Sequence, residues 1–345
     1  MENTKFVKFV LGLIAMVIIV YILKELKSIF IPLTFAIFLS FLFAPLNRFL
    51  ANKKIPNSII LLIMVVIILF TFTLVGTVVY TSTASFATEF PEYEIRIVEI
   101  FQHAITKWNL PIDEVSNFMN DKINWPLIAE KLSLAKVIGV TMGSFINFFV
   151  KLLLTVAFMF FIVLGRHKLA KRLESTISEQ EIHHSFKLTA KIEEQIRTYL
   201  FNKTLISIIT ALIGIIFISL FKIDFIIISG LLIFILNFIP HIGSLFASAF
   251  PILVCAVQYG FGWRFLGIST ALISTQMIMG NFVEPKIMGT ELHLSPIIIL
   301  MALIFWYWVW GPVGMILAIP ITSALNLILK QFISMKIISA IMSTD

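Results

Sequence analysis

Between two long apolar runs the chain reads Gly280-Asn281-Phe282-Val283-Glu284-Pro285-Lys286-Ile287-Met288-Gly289. A side-chain amide, a carboxylate and an ammonium stand close together there. Pro285 removes a backbone donor and disfavours helix at Glu284, while Gly280 and Gly289 permit a tight path. Carbonyl oxygens released by an interrupted helix, together with Asn281 and Glu284, can hold a cation or a polar solute. Transporters place such breaks where backbone lines a cavity, and an acid inside a membrane is a functional candidate by default. The same residues also read as an interfacial loop carrying a Glu284–Lys286 pair, and both readings stand at the level of sequence.

A second interruption is Asn237-Phe238-Ile239-Pro240-His241-Ile242-Gly243, and a third is Gly311-Pro312. His241 changes charge near neutral pH, although a lone histidine beside a proline also serves as an ordinary turn residue. Pro240, Gly243, Pro285, Gly289, Gly311 and Pro312 are the residues that would permit the helix breaks. Other polar residues have plainer readings. Lys151 reads as snorkelling from near the end of a span, with a pathway role as the alternative. Asp224 beside Lys222 reads as an interfacial turn, with a proton carrier as the alternative. Trp306, Tyr307, Trp308 and Trp310 form an interfacial belt. His183 and His184 point to different faces of a helix and gather no further ligands, so no metal site is expected. There is no phosphate-binding loop, dinucleotide fingerprint, zinc-protease motif or serine elbow. The chain therefore reads as neither an enzyme nor a cofactor protein.

These residues must be carried by apolar elements. The chain has 345 residues, of which 59% are hydrophobic and only 13% charged. Soluble domains are about 45–50% apolar and about 25% charged, so a water-soluble enzyme is excluded. Cys255 is the only cysteine, which excludes a disulfide scaffold. The net charge of +7 is scattered over short loops, fitting membrane topology and anionic lipid rather than nucleic acid.

Long runs poor in charge place helical spans at about 6–23, 28–46, 57–80 and 143–165, the last joining two runs across Lys151. The expected organisation is an N-terminal three-helix membrane part (1–80), an extracytoplasmic helical insertion (81–142) and a fourth span (143–165). A cytoplasmic helix (166–203), a C-terminal membrane part (204–330) and a cytoplasmic tail (331–345) follow. The first insertion is acidic and reads as short helices broken at Pro91, Pro111 and Pro126. The second is basic, and Leu188, Ile192, Ile196 and Leu200 mark one apolar stripe on it. Arg48, Lys53 and Lys54 share a side with that basic insertion, Lys5 and Lys8 put the N-terminus on the same cytoplasmic side, and Lys330 and Lys336 suggest a cytoplasmic C-terminus. The fold class is thus all-α and polytopic, with about eight transmembrane helices and broken or re-entrant helices in the C-terminal half.

The motif Asn237 to Gly243 followed by Pro251, the Gly280–Gly289 segment, and the closing residues Leu294-Ser295-Pro296, Phe305-Trp306, Trp310 to Met315 and Ala318-Ile319-Pro320 are collinear. Together they resemble the signature stretches of the AI-2E transporter family, also called the autoinducer-2 exporter or PerM-like family. His241 stands where many members carry an aromatic residue, and Ser244 where proline is common. The resemblance implies a multi-pass protein of the bacterial inner membrane that exports a small solute, such as an autoinducer-2-like signal, or exchanges Na⁺ or Li⁺ for protons. It also implies a homo-oligomer embedded in membrane lipid. A membrane scaffold without transport activity is the competing reading. For transport, Glu284, Asn281, Lys286, Asn237 and His241 are the expected ion-coupling residues.

Overall fold

A computed structural model describes residues 2–107, 147–165, 179–240, 242–288, 294–330 and 342, and among these no β-strand occurs. Runs such as the α7 sequence below are rich in isoleucine, which has only modest helix propensity. They are helical nonetheless, because in hydrocarbon each backbone amide needs an internal partner. The helices are α1 (Glu2–Glu25), α2 (Lys27–Leu42), α3 (Ala44–Asn52), α4 (Asn57–Lys107), α5 (Asn147–Gly165) and α6 (Glu179–Leu220). They continue with α7 (Ile226–Leu236), α8 (Ile242–Tyr259), α9 (Trp263–Met288), α10 (Pro296–Trp310) and α11 (Pro312–Leu329).

Six of these helices are long and apolar enough to cross a membrane, and seven if the bent pair α2–α3 is one span. The expected count of about eight is therefore approximate. The α2–α3 bend of 46° falls at Phe43, ahead of Pro45 in the first turn of α3. Proline there lacks the donor that would have continued α2.

The chain divides into two compact units. One comprises residues 1–66, 149–202 and 288–345, and the other comprises 67–148 and 203–287. In the first unit α10 and α11 form a tight hairpin. Ser295 accepts a hydrogen bond from the Ile298 amide and Pro296 opens the first turn of α10. Gly311 joins the two helices at φ 68° and ψ −151°, a region essentially confined to glycine. Trp306 and Trp310 are buried. The Trp306 indole N–H donates to Thr322 at 3.2 Å, and that of Trp310 donates to the Leu23 carbonyl at 2.9 Å. Only Tyr307 and Trp308 of this aromatic cluster are exposed, so half of the expected belt is interior. Aromatic rings with a polar edge suit that position because the N–H finds a partner.

The second unit packs Ile218, Ile223, Ile233, Val254, Ile268 and Leu272 into one core with Tyr93. Two expectations change here. The chain does not break at Pro91, because α4 runs unbroken from Asn57 to Lys107. A proline inside a helix costs about 3 kcal/mol, and tertiary contacts just beyond it offset that. The Tyr93 hydroxyl donates to Asp224 Oδ2 at 2.6 Å, and Arg96 donates to the Gln258 carbonyl at 3.3 Å. Pro111 and Pro126 lie outside the described residues. The chain also does not break at Pro285. Instead α9 widens into a π-turn at Met279–Val283 and resumes as α-helix at Glu284–Met288. Such a bulge lets the helix continue past a residue that cannot donate.

Candidate functional site

The π-turn positions the polar segment of α9 differently from the expected pocket. Glu284 turns inward, whereas Asn281 and Lys286 are exposed. The Glu284 partner is Lys203 on α6 rather than Lys286. Lys203 Nζ donates to Glu284 Oε1 at 2.5 Å, with the lysine side chain 1% exposed and the glutamate 22%. Both residues belong to the second unit. A lysine this deep in a membrane helix is costly unless paired, and the carboxylate supplies the compensating charge and hydrogen bond.

Lys203 stands about 26 Å along α6 from Leu220, at about 1.5 Å per residue. That is nearly the thickness of the hydrocarbon core, about 30 Å. The pair is thus separated from the end of α6 by nearly one hydrocarbon thickness. One turn further along α6, on the same face, Ser207 accepts a hydrogen bond from Asn237 Nδ2 at 3.1 Å. Both groups are buried, Asn237 at 7% exposed and Ser207 at 0%. Thr210 continues the strip, its hydroxyl donating to the Ile206 carbonyl at 2.7 Å. The inner face of α6 thus carries a line of polar groups through an apolar unit.

Asn237 is held at the end of α7, where the chain turns through Pro240 into α8. The Ile242 amide donates to the Pro240 carbonyl and the Gly243 amide to that of Ile239. A side chain at Gly243 would overlap the Leu236 carbonyl, so α7 and α8 approach too closely there for any other residue. The break expected at 237–243 is present. His241 and Gly289 lie outside the described residues. Among the described residues no group of three or more His, Cys, Asp or Glu side chains could hold a metal ion.

The structure therefore brings together Glu284, Lys203, Ser207 and Asn237 in one unit, and leaves Asn281 and Lys286 outside that set. Sequence reading missed Lys203 because it counted this residue with the basic loop charges. A signal was there: Lys203 follows the stripe Ile192, Ile196 and Leu200 at helical spacing, which points it inward. Glu193 was missed in the same way. It is 1% exposed and pairs with Arg48 at 3.3 Å in the first unit.

Replacing Ser207 by alanine leaves a buried amide N–H of Asn237 without its acceptor. The expected cost is about 1–3 kcal/mol, read as a lowered thermal unfolding midpoint of the purified protein. An unchanged midpoint would contradict the Asn237–Ser207 bond.

The AI-2E family transporter model matches residues 11–334. The chain belongs to this family. The match covers nearly the whole sequence, including the α7–α8 turn, the π-bulged α9 and the α10–α11 hairpin. A putative transport protein of Haemophilus influenzae is 29% identical over 96% of this chain and 94% of its own length. The AI-2 transport protein TqsA of Escherichia coli is 26% identical over 97% of this chain and 95% of its own length. A sodium-lithium/proton antiporter of Halobacillus andaensis is 23% identical over 94% and 95%. As a family member the chain is a multi-pass bacterial membrane transporter, set in lipid and carrying a substrate across it.

Proposed function

We propose that the protein is a secondary transporter of the bacterial inner membrane, exporting a small solute by coupling to a monovalent cation or proton at the Lys203–Glu284 pair. The observation that carries this reading is the pair itself: a carboxylate on an apolar helix whose counter-ion is a buried ammonium. An entering Na⁺, Li⁺ or proton competes with Lys203 for Glu284. Binding therefore changes the stability of one conformation relative to another, which is the requirement for coupling. Ser207 and Asn237 extend the polar face along which a solute group can be held, and the break at Pro240 and Gly243 lets α7 and α8 reorient around it.

The name of TqsA, an AI-2 transport protein, supports an autoinducer-2-like signal as the solute. Cation exchange alone is the second reading. It is favoured by the carboxylate–ammonium pair and by the name of the Halobacillus relative. The basic residues Arg48, Lys53 and Lys54 support cytoplasmic termini, and a homo-oligomer belongs to the same reading. Lys286, which is exposed, takes no part in this coupling scheme.

The test is flux in proteoliposomes under imposed Na⁺, Li⁺ and proton gradients. Glu284→Gln is expected to insert normally and to lose cation-driven flux by about 100-fold or more, the scale on which a group essential to the driven step acts. Unchanged flux rejects the role of Glu284. A proton-sensitive dye separates the two readings, because sodium addition moves protons without solute only if exchange is the activity. Absence of both fluxes favours the scaffold.

A further inference from the structure

A second polar cluster lies in the same unit at the other end of α6, and the coupling pair does not use it. Thr81, Ser82 and Ser85 of α4 line a cleft of about 620 Å³ with Ser219, Lys222 and Asp224. That volume is ample for a small polar group, since ligand pockets run from about 300 to 1,000 Å³. The apolar stretches Asn57–Ser82 and Lys187–Leu220 both end at this cleft. The cleft is thus level with the zone where hydrocarbon gives way to lipid headgroups.

The turn that builds the cleft is rigid. Lys222 and Phe225 both adopt positive φ, 55° and 58°, which for residues with side chains persists only when surrounding contacts hold it. The Lys222 carbonyl accepts from the Tyr259 hydroxyl at 2.8 Å. The Asp224 amide donates to Gln258 Oε1 at 3.1 Å, and Asp224 Oδ2 accepts from the buried Tyr93 hydroxyl. The backbone of the turn is therefore satisfied, while its two charged tips are not consumed. Among the described residues the Lys222 ammonium forms no ion pair and Asp224 Oδ1 accepts no hydrogen bond. Thr81 gives its own proton to the Thr77 carbonyl at 3.0 Å and offers only lone pairs to a ligand. Ile227, beside the cleft, is 58% exposed.

We propose that this cleft binds the zwitterionic headgroup of a bilayer phospholipid, a primary ammonium joined to a phosphate as in phosphatidylethanolamine. The phosphate sits at the Lys222 ammonium with the serine hydroxyls. The headgroup ammonium donates to Asp224 Oδ1 and Thr81, and an acyl chain runs beside Ile227. One positive and one negative side chain select a ligand of zero net charge. Phosphatidylglycerol brings an anion to Asp224, and phosphatidylcholine has no N–H to give it. The inference rests on this cleft alone and stands whether or not Glu284 couples transport.

Native mass spectrometry of the full-length protein, titrated with each of the three lipids and with free phosphoethanolamine, tests it. Phosphatidylethanolamine is expected to bind about tenfold more tightly than phosphatidylcholine or phosphatidylglycerol, a difference of about 1.4 kcal/mol. Lys222→Gln and Asp224→Asn should each abolish that preference. Asp224→Lys should shift the preference to phosphatidylglycerol, a gain that misfolding cannot produce. Equal binding of all three lipids, a preference that survives both neutral substitutions, or equal binding of free phosphoethanolamine overturns the proposal.

Discussion

Neutralising one side of the Lys203–Glu284 pair is expected to destabilise the protein by about 3–5 kcal/mol, and neutralising both sides far less. Lys203 is 1% exposed and its ammonium meets Glu284 Oε1 at 2.5 Å. With Glu284→Gln the ammonium stays buried without a counter-charge. With Lys203→Met the partly buried carboxylate loses its partner. In the double variant neither charge remains to be desolvated, and methionine fills much of the lysine stem's volume. Thermal unfolding of the four proteins in one detergent gives the double-mutant cycle. Additive losses would show that the two side chains do not interact. The cycle also separates structure from function, because the double variant is expected to be stable and yet without cation-driven flux.

Gly243→Ala is expected to lower the unfolding midpoint by an amount at the upper end of the roughly 1–3 kcal/mol typical of overpacking, and to lose transport with it. The added methyl group would meet the carbonyl oxygen and carbon of Leu236. Those are backbone atoms at the end of α7, so no side-chain rotation relieves the clash. The α7–α8 turn would have to open, and Asn237 would be carried away from Ser207. The two residues sit on adjoining elements, so the Ser207→Ala and Gly243→Ala effects should be non-additive. Wild-type unfolding behaviour in Gly243→Ala would refute the close approach of the two helices.

Much of the architecture was legible because apolar runs bounded by charge leave few solutions in a bilayer. The helical class, the turn at Pro240–Gly243 and the α10–α11 joint at Gly311 followed from residue type, and the family from the resemblance of its motifs. Pro91 and Pro285 misled for a common reason. A proline reports one missing donor, but not the contacts that compensate for it. Tyr93 and Arg96 hold α4 past Pro91, and a π-turn carries α9 to Pro285.

The chain's order of amino acids is enough to require membrane helices, because an unpaired amide in hydrocarbon costs several kcal/mol wherever it falls. It also marks Glu284 as a charge needing compensation. It does not say which cation provides it: Lys286 is two positions away, and Lys203 is distant along the chain. Only the packing of α6 against the π-bulged end of α9 decides for Lys203, since pairing depends on which way each helix face turns, and a single π-turn rotates that face.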